Sequence, residues 1–434
     1  MKVLLLGLGR ANLAVAQYLL QRHDEVFLYE DNIENLAERA RRLVETGQVS
    51  IHAEAAYELV ISSPGFPMHK DIIKQMQAKN IPVIDEVEFT YQELKNPIVI
   101  AVTGTNGKST TTALISNVLT VAGIDNFLGG NIAPGIPFSH ALFQSPFKYY
   151  VLEISSFQLM RIRRFRPMIA VLTNIAVDHL NWHKDFEEYK TAKGRIFSNQ
   201  NEDDFAVLNF EDERVRSFVK EIRAKIVFFG FGARKGVCID GKFSYYREEL
   251  FSHRNLPLIG RHNVMNVAAA IAVTKILGIR NDCIEQGVRT FKSLPHRLED
   301  IGTIEGIRYI NNSMCTNERA AIDSFTAVEG PKVVILGGRQ KGSEGQRYLD
   351  LLTREAKACV VFGENAPSIE KYFRSKNFTT FAVVQSMDDA IEKAKAFGVP
   401  GDTIILNPGF ASFGYFRNFE ERGEVFKNAA YRNR

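Results

Sequence analysis

Short apolar runs, each ending in glycine or a polar cluster and followed by an amphipathic stretch, recur along the whole chain. Runs of this length flanked in this way predict buried parallel strands alternating with helices, with ligands gathered past the strands' carboxyl ends. Val3-Leu4-Leu5-Leu6 enters Gly7-Leu8-Gly9-Arg10-Ala11-Asn12, and Leu13, Ala16, Leu19 and Leu20 then repeat as one face of a helix. Glu25 to Tyr29, ending at Glu30-Asp31, and Leu59-Val60-Ile61-Ser62, ending at Ser63-Pro64-Gly65, read as further strands. The alternation restarts at Ile98-Val99-Ile100-Ala101-Val102, with later strands at 150–152 and 169–174 that run into Glu153 and into Asp178-His179. It restarts again after His296-Arg297, with strands from Val333 to Leu336, Cys359 to Phe362 and Thr403 to Leu406. Three restarts predict three α/β domains, at 1–93, 94–295 and 296–434. The first and last read as Rossmann-like, and the middle one as a P-loop ATPase type.

The middle domain carries the sharpest chemistry. Gly104-Thr105-Asn106-Gly107-Lys108-Ser109-Thr110 lies between a strand and the helical pattern Ala113, Leu114, Ile115, Val118, Leu119. Glycines there let backbone N–H groups close around a phosphate, and the helix adds the positive end of its dipole. Lys108 can reach the β- and γ-phosphates, and Ser109 or Thr110 can hold Mg²⁺. At an effective dielectric near 20, a charge contact at 4 Å is worth roughly 4 kcal/mol before desolvation. Val102 stands where the longer form of this loop has its first glycine, so the loop is a shortened one. In the first domain Asn12 takes the place of the third glycine of G-x-G-x-x-G, which argues against a nicotinamide cofactor and for another nucleotide's diphosphate at that helix terminus. Glu153 and His179, just past strand ends, are candidate ligands for a hard cation, with a hydrogen-bonded structural role the alternative for the histidine.

Composition narrows the picture. A 434-residue chain with a net charge of +4 and no basic run has no nucleic-acid footprint, so small-molecule partners are expected. With no signal-like h-region and no apolar stretch approaching 18 residues, the chain reads as cytoplasmic, without a membrane span and monomeric. Cys238, Cys283, Cys315 and Cys359 show no Cys-x-x-Cys spacing and are expected as free thiols.

Taken in order, G-T-N-G-K-S-T at 104–110, G-G-N-I at 129–132, L-E-I-S-S-F-Q-L at 152–159, D-H-L at 178–180, T-A-K at 191–193, G-R-H-N-V-M-N at 260–266, P-H-R-L-E at 295–299 and A-S-F-G-Y-F-R-N-F-E-E-R-G at 411–423 resemble the Mur ligases over the whole chain. The last motif points to the branch that adds D-glutamate. The resemblance implies an ATP-dependent ligase that makes a peptidoglycan precursor. ATP would phosphorylate the carboxylate of UDP-N-acetylmuramoyl-L-alanine, and the amine of D-glutamate would displace phosphate from the acyl phosphate. It implies that Lys108 stabilises the transferring phosphoryl group, that Ser109 and Glu153 hold one Mg²⁺, and that His179 and Lys193 hold a second, with Lys193 carbamylated because an ammonium cannot ligate a metal. Asn263, Asn266, Arg297 and Asn312 match ATP-contacting positions, alongside the loop from Gly104 to Thr110. Gly9, Arg10, Ala11, Ser63, Gly65 and Asn131 match the UDP-sugar site, with Asp31 or Glu30 a candidate acceptor for uracil. Thr316, Lys341, Ser412 and Phe419 match positions that receive the amino acid.

Two departures from the family pattern fall in Asn311-Asn312-Ser313-Met314-Cys315-Thr316-Asn317. Asn312 replaces an aspartate that meets the ATP ribose, so weaker ATP binding is expected, since a charged hydrogen bond is worth about 1.5–3 kcal/mol and a neutral one about 0.5–1.5. Met314 removes a lysine. These departures leave open a ligase with another amino acid or acceptor, or a nucleotide-binding relative without catalysis.

Overall fold

The computed structural model describes residues 1–432 except 53–55, 68, 69, 134, 145, 181, 340–344 and 413. The described residues form three sheets, distributed over two compact units: 1–256 with 264–291, and 257–263 with 292–434. The three sheets draw their strands from residues 2–85, 99–252 and 299–406 respectively.

In the first unit, five parallel strands stand in the order Val49–Ile51, Glu25–Tyr29, Lys2–Leu6, Leu59–Ser62, Val83–Asp85. Leu4, Leu5 and Leu6 are fully buried because both faces of the sheet are covered, which is why that run is unbroken and not alternating. The strand order reverses between Lys2–Leu6 and Leu59–Ser62, which opens a crevice at their carboxyl ends. Asn12 belongs to that crevice. Its buried amide donates to the carbonyls of Leu6 (3.3 Å), Gly7 (2.8 Å) and Ile61 (3.2 Å), tying the two diverging strands together. A glycine could not make these bonds, which gives the departure from G-x-G-x-x-G a structural reason.

The second sheet has nine strands. Seven run parallel in the order Gly236–Asp240, Lys225–Gly230, Phe205–Asn209, Ile169–Leu172, Val99–Thr103, Tyr149–Glu153, Asn126–Gly130. An antiparallel extension, Lys242–Tyr245 and Glu248–Ser252, widens one edge. Val99–Thr103 is flanked by Tyr149–Glu153 and Ile169–Leu172, so the loop after it opens between the ends of both neighbours.

The second unit contains a six-stranded sheet in the order Glu299–Ile304, Ile307–Asn311, Thr403–Leu406, Lys332–Leu336, Ala358–Val361, Phe381–Val383, antiparallel only at its first pair. Cys238, Cys283, Cys315 and Cys359 are free thiols. No helix of the described residues is long and apolar enough to cross a membrane.

Candidate functional site

Strand Val99–Thr103 delivers the chain into the glycine-rich loop, and helix Lys108–Val121 leaves it. Gly104 has φ +148°, and a Cβ there would sit 1.9 Å from the Thr173 hydroxyl. Gly107, which caps the helix, has φ +80°, and a Cβ there would meet the Asn266 carbonyl oxygen at 2.2 Å. Both positions therefore exclude any side chain on conformational and steric grounds. The neighbouring strand end clamps the loop. Asn106 N–H donates to the Asn174 side chain (2.9 Å), and its carbonyl accepts from the Thr173 hydroxyl (2.6 Å) and the Asn174 amide (2.9 Å). Thr105 Oγ1 accepts from Ala176 N–H (2.9 Å) and lies 3.0 Å from the Tyr189 hydroxyl. Lys108 folds back across the loop and donates to the Thr105 carbonyl at 2.8 Å.

Glu153 ends the strand beside this loop and is 2 % exposed. One carboxylate oxygen accepts from Ser109 Oγ, and the other accepts from Asn131 Nδ2 at 2.9 Å. Ser109 and Glu153 are thus adjacent hard oxygen donors, a set suited to Mg²⁺ shared with phosphate oxygens. Among the described residues no three His, Cys, Asp or Glu side chains converge as a metal cage. A cation here would accordingly take ligands from its substrate as well as from the protein.

Lys193 lies on helix Phe186–Gly194, is 2 % exposed, donates to the Gly104 carbonyl at 2.7 Å, and rests 4.7 Å from the Tyr189 ring centre. Burial, and next the charge of Lys108, push its pKa well below that of an ordinary lysine, against a smaller pull from Asp178 and Glu153. A lowered pKa favours the unprotonated amine, the form that reacts as a nucleophile. His179 occupies a left-handed position (φ +54°), lies edge-on to Phe157 at 5.0 Å, and is held below the usual histidine pKa chiefly by burial.

The first sheet's crevice contributes the candidates for the UDP-sugar. Gly9 caps helix Arg10–Gln21, Ser63 Oγ donates to the Gly7 carbonyl (3.2 Å), and Arg10 reaches the Gly135 carbonyl of the middle segment. Ala11 offers its carbonyl to Ser139 Oγ (3.2 Å), and Arg161 bonds the Ser63 and Phe66 carbonyls, so the loop carrying Ser63 and Gly65 is anchored from the second sheet. Asp31 is paired with Lys70 at 2.8 Å on the surface.

Asn266, on helix Arg261–Ile276, packs against the phosphate loop and accepts from Thr111 Oγ1 at 3.4 Å. Asn263 bonds the Ile259 carbonyl at 2.8 Å. In the second unit, Arg297 follows His296, whose Nδ1 is 2.9 Å from the Asn311 amide. Asn312 is inward-facing: its carbonyl accepts from Leu298 N–H (3.1 Å) and its amide donates to Asn407 Oδ1 (2.8 Å). Thr316 is exposed and Met314 half-buried. Ser412 is buried, and Phe419 starts helix Phe419–Arg432, its carbonyl accepting from Ser313 Oγ at 2.7 Å. Lys341 lies outside the described residues.

Two side chains gain importance that their sequence positions did not reveal. Arg422, fully buried, bonds Ser313 Oγ (3.0 Å) and the carbonyls of Ser313 (2.8 Å), Phe410 (3.1 Å) and Gly337 (3.4 Å). Burial lowers its pKa to about 10. It fixes the loops that carry Ser412 and the glycines after Lys332–Leu336; its place in the motif at 411–423 was the available signal. The other is His183, buried between the segments that bear Glu153 and Lys193.

Comparison with known proteins gives concordant matches. Residues 1–85 match a model described as Mur ligase MurD-like, N-terminal domain, and residues 102–274 match the Mur ligase middle domain. The UDP-N-acetylmuramoylalanine--D-glutamate ligase of Pelotomaculum thermopropionicum is 36 % identical, over 98 % of this chain and 96 % of its own. That of Caldanaerobacter subterraneus subsp. tengcongensis is also 36 % identical, over 99 % and 97 %. Among solved structures, UDP-N-acetylmuramate-alanine ligase MurC from Thermotoga maritima superposes with a TM-score of 0.64 at 19 % identity, covering 100 % of both chains. MurF ligase from Thermotoga maritima in complex with ADP gives 0.63 at 17 %, over 94 % of this chain and 99 % of that one.

Proposed function

This chain belongs to the Mur ligase family, and on that premise we propose that it is an ATP-dependent ligase joining D-glutamate to UDP-N-acetylmuramoyl-L-alanine in peptidoglycan precursor synthesis. The observation that carries the reading is the meeting of Lys108, Ser109, Glu153 and Asn131 around one phosphate loop, in a chain related end to end to ligases of that name. Residues 1–93 are assigned to the UDP-sugar, 94–295 to ATP and 296–434 to the amino acid.

The reaction runs in two steps. A carboxylate oxygen of the UDP-sugar substrate attacks the γ-phosphorus of ATP and ADP departs. The D-glutamate amine then attacks the acyl carbon, phosphate leaves with the C–O bonding pair, and loss of a proton gives the amide. In the first step charge spreads over the transferring phosphoryl oxygens, which the loop N–H groups and Lys108 offset. Bound Mg²⁺ would supply positive charge that offsets part of that on the phosphate oxygens. Ser109 and Glu153 would hold one such ion, and His179 with a carbamylated Lys193 would hold another. The burial that lowers the Lys193 pKa supports that modification, which needs the unprotonated amine. Asn266 and the loop hold the phosphates, with Asn263, Arg297 and Asn312 assigned toward the rest of the nucleotide. Thr316, Lys341, Ser412 and Phe419 are assigned to the amino acid.

The test is phosphate release measured with ATP, the UDP-sugar and single amino acids. Release that needs both co-substrates, with D-glutamate and not L-glutamate, is expected. Met314 favours asking the same of other amino acids, because the departure removes a cation from this motif; release with a different amino acid would reassign the substrate.

A further inference from the structure

The His183 side chain is wholly enclosed, yet it contacts the segments that supply three of the four candidate metal ligands, Glu153, His179 and Lys193. Its Nε2 is 2.9 Å from Ser156 Oγ, in the segment that leaves Glu153. Its backbone N–H donates to the His179 carbonyl at 3.0 Å and closes the turn that sets His179. Its Nδ1 is 3.4 Å from a carboxylate oxygen of Glu188, on the helix that carries Lys193, and the same oxygen accepts from Lys184 N–H at 2.7 Å. The ring lies flat on Phe157 (5.6 Å, 21°) and edge-on to Tyr189 (5.3 Å, 68°), whose ring supports the Lys193 amine. Nε2 and the Ser156 hydroxyl thus share the ring's hydrogen bond, while Nδ1 faces the Glu188 carboxylate without completing a hydrogen bond to it.

We propose that His183 is a positioning residue for the ligase reaction, a packed imidazole bridge, hydrogen-bonded to Ser156 and wedged against Phe157, Tyr189 and Glu188, that sets the Glu153 segment, the His179 turn and the Lys193 helix at one spacing. The inference rests on the ligase reading for its kinetic consequence, but the bridge itself is a feature of this chain's side chains. Ligands of a cation must be held to within a fraction of an ångström, and groups in contact with them commonly decide whether they are. The residue acts through Ser156, so the two should behave as a unit.

The experiment compares His183→Phe, which keeps a ring and removes its hydrogen bond, Ser156→Ala, their double variant, and His183→Gln, which restores a hydrogen-bonding group near the Nε2 position. Two readouts are taken: steady-state kinetics with varied Mg²⁺, and calorimetric binding of ADP with Mg²⁺ to the resting protein. His183→Phe and Ser156→Ala should each lower kcat about tenfold or more, consistent with losses of 10–100-fold for groups that orient ligands. Each should raise the Mg²⁺ needed for half-maximal rate and weaken ADP binding in Mg²⁺ but not in EDTA, with the KM for D-glutamate within twofold. The double variant should be no worse than the worse single, and His183→Gln should recover most of the loss. Additive losses, equal loss in His183→Gln, or unchanged Mg²⁺ dependence would overturn the proposal, and Ser156→Ala alone decides it if His183→Phe does not fold. A wild type that binds Mg²⁺ with ADP but shows no D-glutamate-dependent turnover would count against the ligase reading, and the binding arm would then judge His183 by itself.

Discussion

At the scale of single residues, charge placed in a water-poor loop is the deciding quantity. Lys108→Ala is expected to lower turnover by 10²–10³-fold, the loss typical when a preorganised group that stabilises transition-state charge is deleted. Turnover above about a tenth of wild type would remove Lys108 from the chemistry. Lys193→Ala should be nearly inactive and partly rescued by acetate or formate, because a small carboxylate can stand in for the anion of the modified side chain next to Mg²⁺. Full activity of the unsupplemented variant would leave that lysine a packing residue. Asn312 yields a sharper expectation than its sequence allowed. Both ends of its amide are engaged, so Asn312→Asp sets a carboxylate oxygen against Asn407 Oδ1, and turning Asn407 over to relieve this would point its carbonyl at that of Ala321. A loss of about 1–3 kcal/mol of stability is expected, with no gain in ATP affinity, read from thermal melting and ADP binding.

At the scale of elements, the junction between the first sheet and helix Glu86–Glu93 stores a pH dependence. Asp85 and Glu86 are fully buried, and burial raises their pKa values to about 6 and about 7; the Asp85 charge raises Glu86 further, while Arg161 and the Val87 N–H draw Asp85 back. Groups whose folded pKa exceeds the unfolded value contribute most below the unfolded value, near 4, and that contribution disappears as pH rises through 6 to 7. Glu86→Gln should therefore raise the melting temperature more at pH 8 than at pH 5.5, and an equal gain at both would show that Glu86 is not the group responsible. Elements of this kind also mark where the sequence could be read and where it could not. The strand, loop and helix at 99–121 were legible because periodicity and glycine spacing act locally. The antiparallel pair Lys242–Tyr245 and Glu248–Ser252 was not, since its partner strand lies across a turn and no apolar run announces it. Asn12, His183 and Arg422 were opaque for a related reason: each owes its role to carbonyls or hydroxyls distant in sequence, and a lone polar residue carries no trace of such partners. Lys193 became readable only through the motif around it.

At the scale of the whole molecule, three sheets with three candidate ligand sets predict separable Michaelis constants. Ser412→Ala should raise the KM for the amino acid much more than that for ATP, since losing one partner of a buried polar contact to a charged group costs about 2–5 kcal/mol. Equal increases in both would mean that Ser412 shapes its domain instead of gripping a ligand. Substitution of Arg422 by methionine should act on the same constant, because the carbonyls it gathers belong to the loops on either side of Ser412. The chain also has a single tryptophan, Trp182, three residues beyond His179, its ring centre 4.5 Å from that of a tilted Phe157 and 4.7 Å from an edge-on His183. Light emitted by a protein of 434 residues at indole wavelengths therefore comes from one turn, so that filling of the neighbouring nucleotide loop and local loosening of that turn can each be followed in the unlabelled native chain.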